Sequence, residues 1–450
     1  MIPHSWKVVP KVSAQSSQST HSHGAAASGT ASLDDIDLSD FQFWARPLVE
    51  REEVFARLRQ HPPAFFAEPD LVFAERGAGY YALTRHADIV EASRRPEEFC
   101  SGQGAVNIPD MPTEFNEYFG SMINMDDPRH AKIRRIVSRA FTPRRIQKFE
   151  DDVQQAAVRI VDDIIDRGEC DFVTEVAARL PLKIICDMMG IGEEHYQSVF
   201  DNSNVILAGF DPDFIPDLNE AATKLLTAGQ ELQDLVQELG RDRQENPTDD
   251  LISALVNANV DGEQLTTQEL GSFFILLVVA GNETTRNGIS HGLRLLTENP
   301  DQRQLWASDF ERYASTAVEE IVRVASPVMW MRRTLTQDAE LNGNHFKAGD
   351  KVLLYYWSAN RDESVFDDPY RFDITRSPNP HIGFGGPGPH FCLGAHLARR
   401  EITVMFRELF NRIPDIHASG PPEQLQSNFI NGIKHLPCAF TPGGTRATSV

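Results

Sequence analysis

The stretch His381–Glu401, HIGFGGPGPHFCLGAHLARRE, places one cysteine, Cys392, between a Gly/Pro loop and a helical pattern. The residues after it, LGAHLARREITVMFREL, carry apolar groups at helical spacing. Cys392 therefore stands at or just before a helix N-terminus, where free N–H groups and the positive dipole end favour a thiolate over a thiol. Glycines at 383, 385, 386 and 388, with prolines at 387 and 389, let the backbone approach something flat and large. A thiolate there is a nucleophile or a metal ligand. Iron or haem fits that chemistry. Zinc competes, because His390 and His396 are close by, although their spacing is not a paired zinc-ligand pattern.

Outward from the loop, most of the chain reads as helix. Thr266 and Glu269 form a T-x-x-E capping box, and the helical pattern then runs to Asn299, where Pro300 stops it. Such a helix is roughly 50 Å long, enough to cross a domain. Its middle, Phe273 to Ala280, is apolar on every face and is predicted to be buried; at eight residues it is too short to span a bilayer. AGNETT follows at once, and a carboxylate with two threonines in a buried helix calls for a function. RIQKFEDDVQQAAVRIVDDIIDRGE and EAATKLLTAGQELQDLVQELGRDRQ are two further predicted helices. YYALTR reads as a strand, and AELNGNHFKAGDKVLLYY as two strands joined at an Asn-Gly turn. The fold class is mainly α with small sheets.

Residues 13–32, SAQSSQSTHSHGAAASGTAS, bury too little to order themselves, so residues 1–32 are expected to be a disordered tail and 33–450 one domain. The HSH in it has no neighbours that would complete a metal site.

A net charge of -22 argues against general nucleic-acid or anionic-membrane binding. Five scattered cysteines, Cys100, Cys170, Cys186, Cys392 and Cys438, are no disulfide framework. The four besides Cys392 read as small buried hydrophobes in a reducing compartment, the cytoplasm. No secretory signal or membrane anchor is visible, and a monomer is the default.

The motifs together resemble one family. Phe384, Gly385, Gly388, His390, Cys392 and Gly394 resemble the haem-ligand loop of the cytochromes P-450, the haem-thiolate monooxygenases. AGNETT resembles their oxygen-activation motif. Glu320-x-x-Arg323 with Arg371 of DPYRFD resembles their Glu-Arg-Arg triad. DDPRHAKIRR sets His130 and Arg134 four apart, like the helix that grips the haem carboxylates. Phe384 departs from the pattern, standing one residue further from the cysteine than in the common loop. Its packing on the ligand sulfur is therefore not implied. The long GFGGxGxHFC form and NFINGIKHLP resemble actinobacterial members that oxidise sterols and methyl-branched lipids.

The resemblance implies a P450 fold with a long central helix, haem b held through Cys392, and O2 as co-substrate. It implies thiolate ligation that favours O–O cleavage, with Gly394 and its neighbours offering N–H groups to the sulfur. His130, Arg134, Arg333 and His390 are the candidates for the two haem propionates. Ala280 and Gly281 would border the haem, and Gly281 could let the helix open locally. Glu283 and Thr284 would relay protons; alternatively Thr284 bonds back to its own helix. Glu320, Arg323 and Arg371 would lock the segment leading to the loop.

Electrons would come from NAD(P)H through a ferredoxin reductase and an acidic ferredoxin. The latter would dock on the basic run Arg129–Lys148, which holds eight Lys/Arg and no acid, beside Arg399 and Arg400. Phe115 within the segment 103–125, Phe210, Phe214, Val328, Trp330, Phe429 and Ile430 would line an apolar substrate pocket. The implied reaction is hydroxylation of a lipid-like substrate, a methyl-branched lipid at its terminal carbon or a sterol side chain. Another fatty acid or small apolar molecule, a peroxygenase and a haem sensor are the alternatives.

Overall fold

The computed structural model describes residues 35–444 apart from 70–73, 141–142, 208–210, 218–219, 259–261 and 263, and for 143–148 the backbone alone. The tail predicted over residues 1–32 lies outside the described residues.

Helices dominate. The N-terminal third carries α1 (Phe41–Trp44), α2 (Leu48–Arg59), α3 (His86–Arg94), α4 (Thr113–Gly120) and α5 (Arg129–Ala140). A helical middle follows: α6 (Pro143–Ile164), α7 (Arg179–Met189), α8 (Tyr196–Leu207), α9 (Ala221–Glu245), α10 (Leu251–Val256) and α11 (Thr267–Glu298). Then come α12 (Pro300–Ser308), α13 (Phe310–Ala325), the short α14 (Tyr356–Ala359) and α15 (Ala395–Arg412). The spacing-based helices survive as α6, α9, α11 and α15.

Helix α11 organises the rest. The Thr266 hydroxyl accepts from Glu269 N, and the Glu269 carboxylate accepts from Thr266 N, so the capping box forms as read. Against α11 pack α4, α7, α8, α9, α13 and α15. Phe273, Phe274, Ile275, Leu276 and Val278 are buried in the largest apolar cluster, each worth about 1.5–3 kcal/mol. The helix is unbroken through Gly281. A Cβ at 281 would collide with the side chain of Ile185 of α7, so this glycine serves close packing of two helices.

The strands are β1 (Ala64–Phe66), β2 (Tyr80–Leu83), β3 (Phe99–Cys100), β4 (Glu169–Asp171), β5 (Met331–Leu335), β6 (Ala339–Leu341), β7 (Asn344–Phe346), β8 (Lys351–Leu354), β9 (His417–Ala418), β10 (Glu423–Gln424), β11 (Ile433–His435) and β12 (Pro437–Ala439). The main sheet has the order β1-β2-β8-β5-β3, with β2 and β8 parallel and the other pairs antiparallel. The segment read as two strands is three. Asn342 and Gly343, with φ of 50° and 82°, close the hairpin β6–β7, and β8 then leaves to join the main sheet. A second sheet, β4-β12-β9, ties the C-terminal strands to the connection between α6 and α7.

Candidate functional site

The cysteine loop is held from three sides. Ile382 N donates to Asn360 Oδ1 at 2.8 Å, and a ring nitrogen of His381 lies 2.7 Å from Glu319 on α13. Gly388 carries a φ of 148°, and a Cβ there would strike the Ser93 carbonyl of α3, so only glycine passes. Cys392 N donates to Phe384 O at 3.0 Å, which closes the loop. The side chain of Phe384 packs with the main core, and the Arg399 guanidinium sits 4.2 Å over its ring.

Gly394 caps α15, so Cys392 does precede a helix start. Cys392 is open to solvent by surface area, yet protein surrounds it closely enough that desolvation pushes its thiol up. Gly394 and Ala395 N–H bonds and the Arg134 and Arg399 charges oppose that rise. They are the groups that hold a thiolate once a cation neutralises it.

The four candidate propionate partners converge. His130 and Arg134 come from α5, Arg333 from β5 and His390 from the loop. The His130 and His390 rings lie 4.3 Å apart. Burial, then Arg333, His130 and Arg134, push His390 down to about 2. His130 is also lowered, chiefly by burial, against Asp127 at 3.3 Å. Arg134 Nη2 donates to Phe391 O at 2.7 Å, and Arg333 is buried. The His130 Nε2 atom is buried without a hydrogen-bond partner. Cationic groups gathered in this way, with an orphaned donor or acceptor among them, suit an anionic group. A haem with two carboxylates and an iron at Cys392 fits this set. Among the described residues, by contrast, no three His, Cys, Asp or Glu side chains are grouped to hold a bare metal ion, which disfavours zinc.

Glu320 is fully buried and accepts from Arg323 Nε and Nη2, both at 2.7 Å. Here the reading needs a correction: the third cation is Arg376, with Nε 3.2 Å from Glu320 Oε2, not Arg371. The Arg371 side chain is exposed, and its carbonyl accepts from both Arg323 and Arg376. The turn at Asp368, whose φ is +46°, orients Arg371 outward and brings the following turn of chain over Glu320.

An apolar cavity lies against α11. Ala280 and Thr284 line it from the helix, and Val106–Pro109, Met111, Phe115, Phe119 and Ile123 from the segment before α5. Val328 and Trp330 line it after α13, and Phe429 and Ile430 near the C-terminus, as predicted. Ile206 and Leu207 of α8, Leu225 of α9 and Leu276 complete it without any sequence signal beyond ordinary helix periodicity. Phe214 is not a lining residue; Asp211 accepts from its N–H in a turn that Lys434 anchors. Gly281 faces α7. Phe210 lies outside the described residues.

Thr284 Oγ1 donates to Ala280 O at 2.7 Å, so its hydroxyl bonds back to the helix while lining the cavity. Glu283 is buried behind it, paired with Arg286 and accepting from Asn287 Nδ2 at 2.9 Å. Arg286 also donates to Asn204 of α8. The i, i+3 and i, i+4 spacing of Glu283, Arg286 and Asn287 was a legible signal. Arg332, missed in the sequence, donates to the carbonyls of Asn107, Ile108 and Pro109 and pairs with Asp110, pinning the cavity's edge.

On the opposite side, Arg399 is engaged by Glu319, and Arg129 by Glu117 and Glu269. The basic surface is therefore smaller than the sequence count implies.

A thiol at a helix start, a cationic nest beside it and an apolar cavity capped by a threonine are the working parts of a haem-thiolate oxygenase. A family profile described as Cytochrome P450 matches residues 111–305 and 312–413, and the chain belongs to the cytochrome P450 monooxygenase family, which uses haem, O2 and electrons from redox partners. The chain is 51% identical over 411 residues to the methyl-branched lipid omega-hydroxylase of Mycobacterium tuberculosis, covering 90% of this chain and 95% of that one. It is 40% identical over 419 residues to the steroid C26-monooxygenase of Mycolicibacterium smegmatis, covering 91% and 96%. A solved Mycobacterium marinum cytochrome P450 in complex with pseudoionone superposes with a TM-score of 0.85 at 43% identity, over 92% of this chain and all of that one. No helix among the described residues is long and apolar enough to cross a membrane.

Proposed function

We propose that this protein hydroxylates a methyl-branched lipid at its terminal carbon, with electrons delivered by a ferredoxin to the Cys392 side. The observation that carries the substrate class is the cavity. Its lining is almost wholly aliphatic and aromatic, and it leads to Ala280 and Thr284. A long apolar chain whose end reaches Thr284 is oxidised at that end. The names of the relatives support the same class. A sterol side chain ends in a methyl-branched unit of similar shape and is the second reading.

Bound haem supplies the oxygen activation and C–H insertion of this family. The chain's own residues do the rest. Cys392 would hold the iron, aided by the N–H groups of Gly394 and Ala395. His130, Arg134, Arg333 and His390 would bind the propionates, the guanidinium groups and the ring N–H groups of the two histidines acting as donors. Thr284 presents a hydroxyl at the cavity wall. Glu283 stands behind it, its carboxylate held by Arg286 and Asn287 and placed to order water for proton delivery, and the apolar wall excludes bulk water. The exposed Arg135 and Arg139, with the half-buried Arg400 beside them, would receive an acidic ferredoxin.

The test is a substrate-binding difference spectrum over three sets: methyl-branched lipids, sterols and straight-chain fatty acids. The expected result is the tightest response to the branched lipids, and a response to straight chains alone would overturn the substrate assignment. The reduced carbon monoxide complex should show the red-shifted absorption of thiolate ligation. Turnover with ferredoxin should fall as ionic strength rises, and salt-insensitive turnover would refute electrostatic docking.

A further inference from the structure

Cys170 and Cys438 are 268 residues apart in sequence and opposite each other in space. They are register partners in the antiparallel pair β4–β12, and their sulfurs lie 3.3 Å apart. Nothing in the oxygenase reaction uses them. Sequence reading treats each as a separate small hydrophobe, because no spacing links them. We propose that Cys170 and Cys438 form a thiol pair that a small-molecule disulfide oxidises to a reversible cross-strand disulfide.

Geometry favours the step. Directly opposed residues in an antiparallel pair have Cα separations of about 4.5–5.5 Å, inside the range a disulfide spans. Both strands are fixed by flanking bonds, Phe172 N to Leu436 O at 2.9 Å and Phe440 N to Gly168 O at 2.8 Å. Access is asymmetric: Cys170 is half-buried and Cys438 is buried. The Arg167–Glu175 ion pair stands beside the sulfurs. Their hydrogen bond pulls the Cys438 thiol down and pushes the Cys170 thiol up, so Cys438 is the sulfur that ionises and Cys170 holds the proton between them.

The chemistry balances with one external disulfide. The half-buried Cys170 sulfur attacks one sulfur of that disulfide as its proton passes to the Cys438 thiolate, forms a mixed disulfide and expels one thiolate. Cys438 then attacks the Cys170 sulfur and expels the second thiolate. Two protein thiols are oxidised, the external disulfide is reduced to two thiols, and the two protons pass to those leaving groups. Cys438 needs no route from solvent, because its reaction is intramolecular.

The bond would staple the chain where it matters for the cavity. The segment that carries Phe429 and Ile430 runs through β11 into β12, and β4 leads into α7 through Val173–Ala177. Oxidation joins the C-terminal cavity wall to the helical core by a covalent link.

The experiment uses the full-length, haem-loaded protein equilibrated with mixtures of reduced and oxidised glutathione, quenched with acid, alkylated and analysed by mass. The expected result is loss of two alkylation equivalents, a Cys170–Cys438 linked peptide, and full reversal by reductant. The oxidised form should melt roughly 3 °C or more above the reduced form. Cys438→Ser should stop at the mixed disulfide on Cys170. Both thiols remaining fully alkylatable in oxidised glutathione, or a stable glutathione adduct on Cys170 in the unaltered chain, would overturn the proposal. The unaltered chain alone decides the matter if a serine variant fails to fold.

Discussion

Replacing Arg371 and Arg376 one at a time by alanine separates the two arginines as partners of Glu320. Glu320 accepts from Arg323 twice, from Asp373 N at 2.9 Å, from Asn379 Nδ2 at 3.1 Å and from Arg376 Nε. Arg376 also donates to the carbonyls of Asp367, Asp368 and Arg371. Truncating it removes a charge-assisted bond to a buried carboxylate, worth about 1.5–3 kcal/mol. It also strips the carbonyls of the turn that precedes the cysteine loop. Arg371→Ala removes only an exposed side chain, because the Arg371 carbonyl that Arg323 uses remains, and should stay within about 0.5 kcal/mol. Glu320→Ala is the upper limit, since it strands a fully buried Arg323 at a cost of about 3–5 kcal/mol. The assay is haem per polypeptide together with the thermal midpoint of each purified variant. The expected order of loss is Glu320→Ala, then Arg376→Ala, with Arg371→Ala like the unaltered protein. A haem-free Arg371→Ala beside a fully loaded Arg376→Ala would refute the structural assignment, and a soluble Glu320→Ala with full haem would refute the lock itself.

Glu319 should set part of the acid limb. Arg399 and then His381 hold its carboxyl down, to about 2, against burial, so its contribution, about 1–2 kcal/mol once solvent screening of this partly exposed group is allowed for, is complete above the unfolded value near 4.3 and disappears as pH falls towards 2. Glu319→Gln should therefore be less stable at neutral pH, with the gap closing between about pH 4.5 and 2 in denaturation curves; a gap independent of pH contradicts the reading. Gly281→Val should cost about 1–3 kcal/mol through collision with Ile185, read as a lower thermal midpoint. Glu283→Gln should leave the substrate-binding spectrum intact and lower kcat by at least about 100-fold; unchanged turnover would remove Glu283 from proton delivery.

The helix α11, its cap and its stop were legible because local chemistry sets each of them: a capping box, an unbroken apolar face and a proline. Cys392 was legible for a similar reason, since glycine content and a helix start are read within twenty residues. What sequence could not provide is which of several like side chains a turn selects. Arg371 and Arg376 are chemically the same and five residues apart, and only the path of the chain around Asp368 decides that Arg376 meets Glu320. The same limit hid Arg332, Asn204 and the Cys170–Cys438 pair, whose partners lie far away in sequence. Phe214 failed because an aromatic residue in the right region is not thereby turned towards the cavity.

Charge shows how local and global information divide. The chain as a whole is strongly acidic, which speaks for solubility and says nothing of the site. Yet His130, Arg134, Arg333 and His390 come together from three separate segments, and two of them are driven towards neutrality by burial and by one another. Such an arrangement is unfavourable for the bare polypeptide. Two propionates would relieve it by pairing the buried cations, and they would raise the histidines towards their ordinary range. Haem binding should therefore be accompanied by proton uptake, and its affinity should fall as pH rises through the range where those histidines lose their protons in the bound form. The cations are thus arranged for the cofactor-bound protein, and the cost of gathering them is met when the carboxylates arrive.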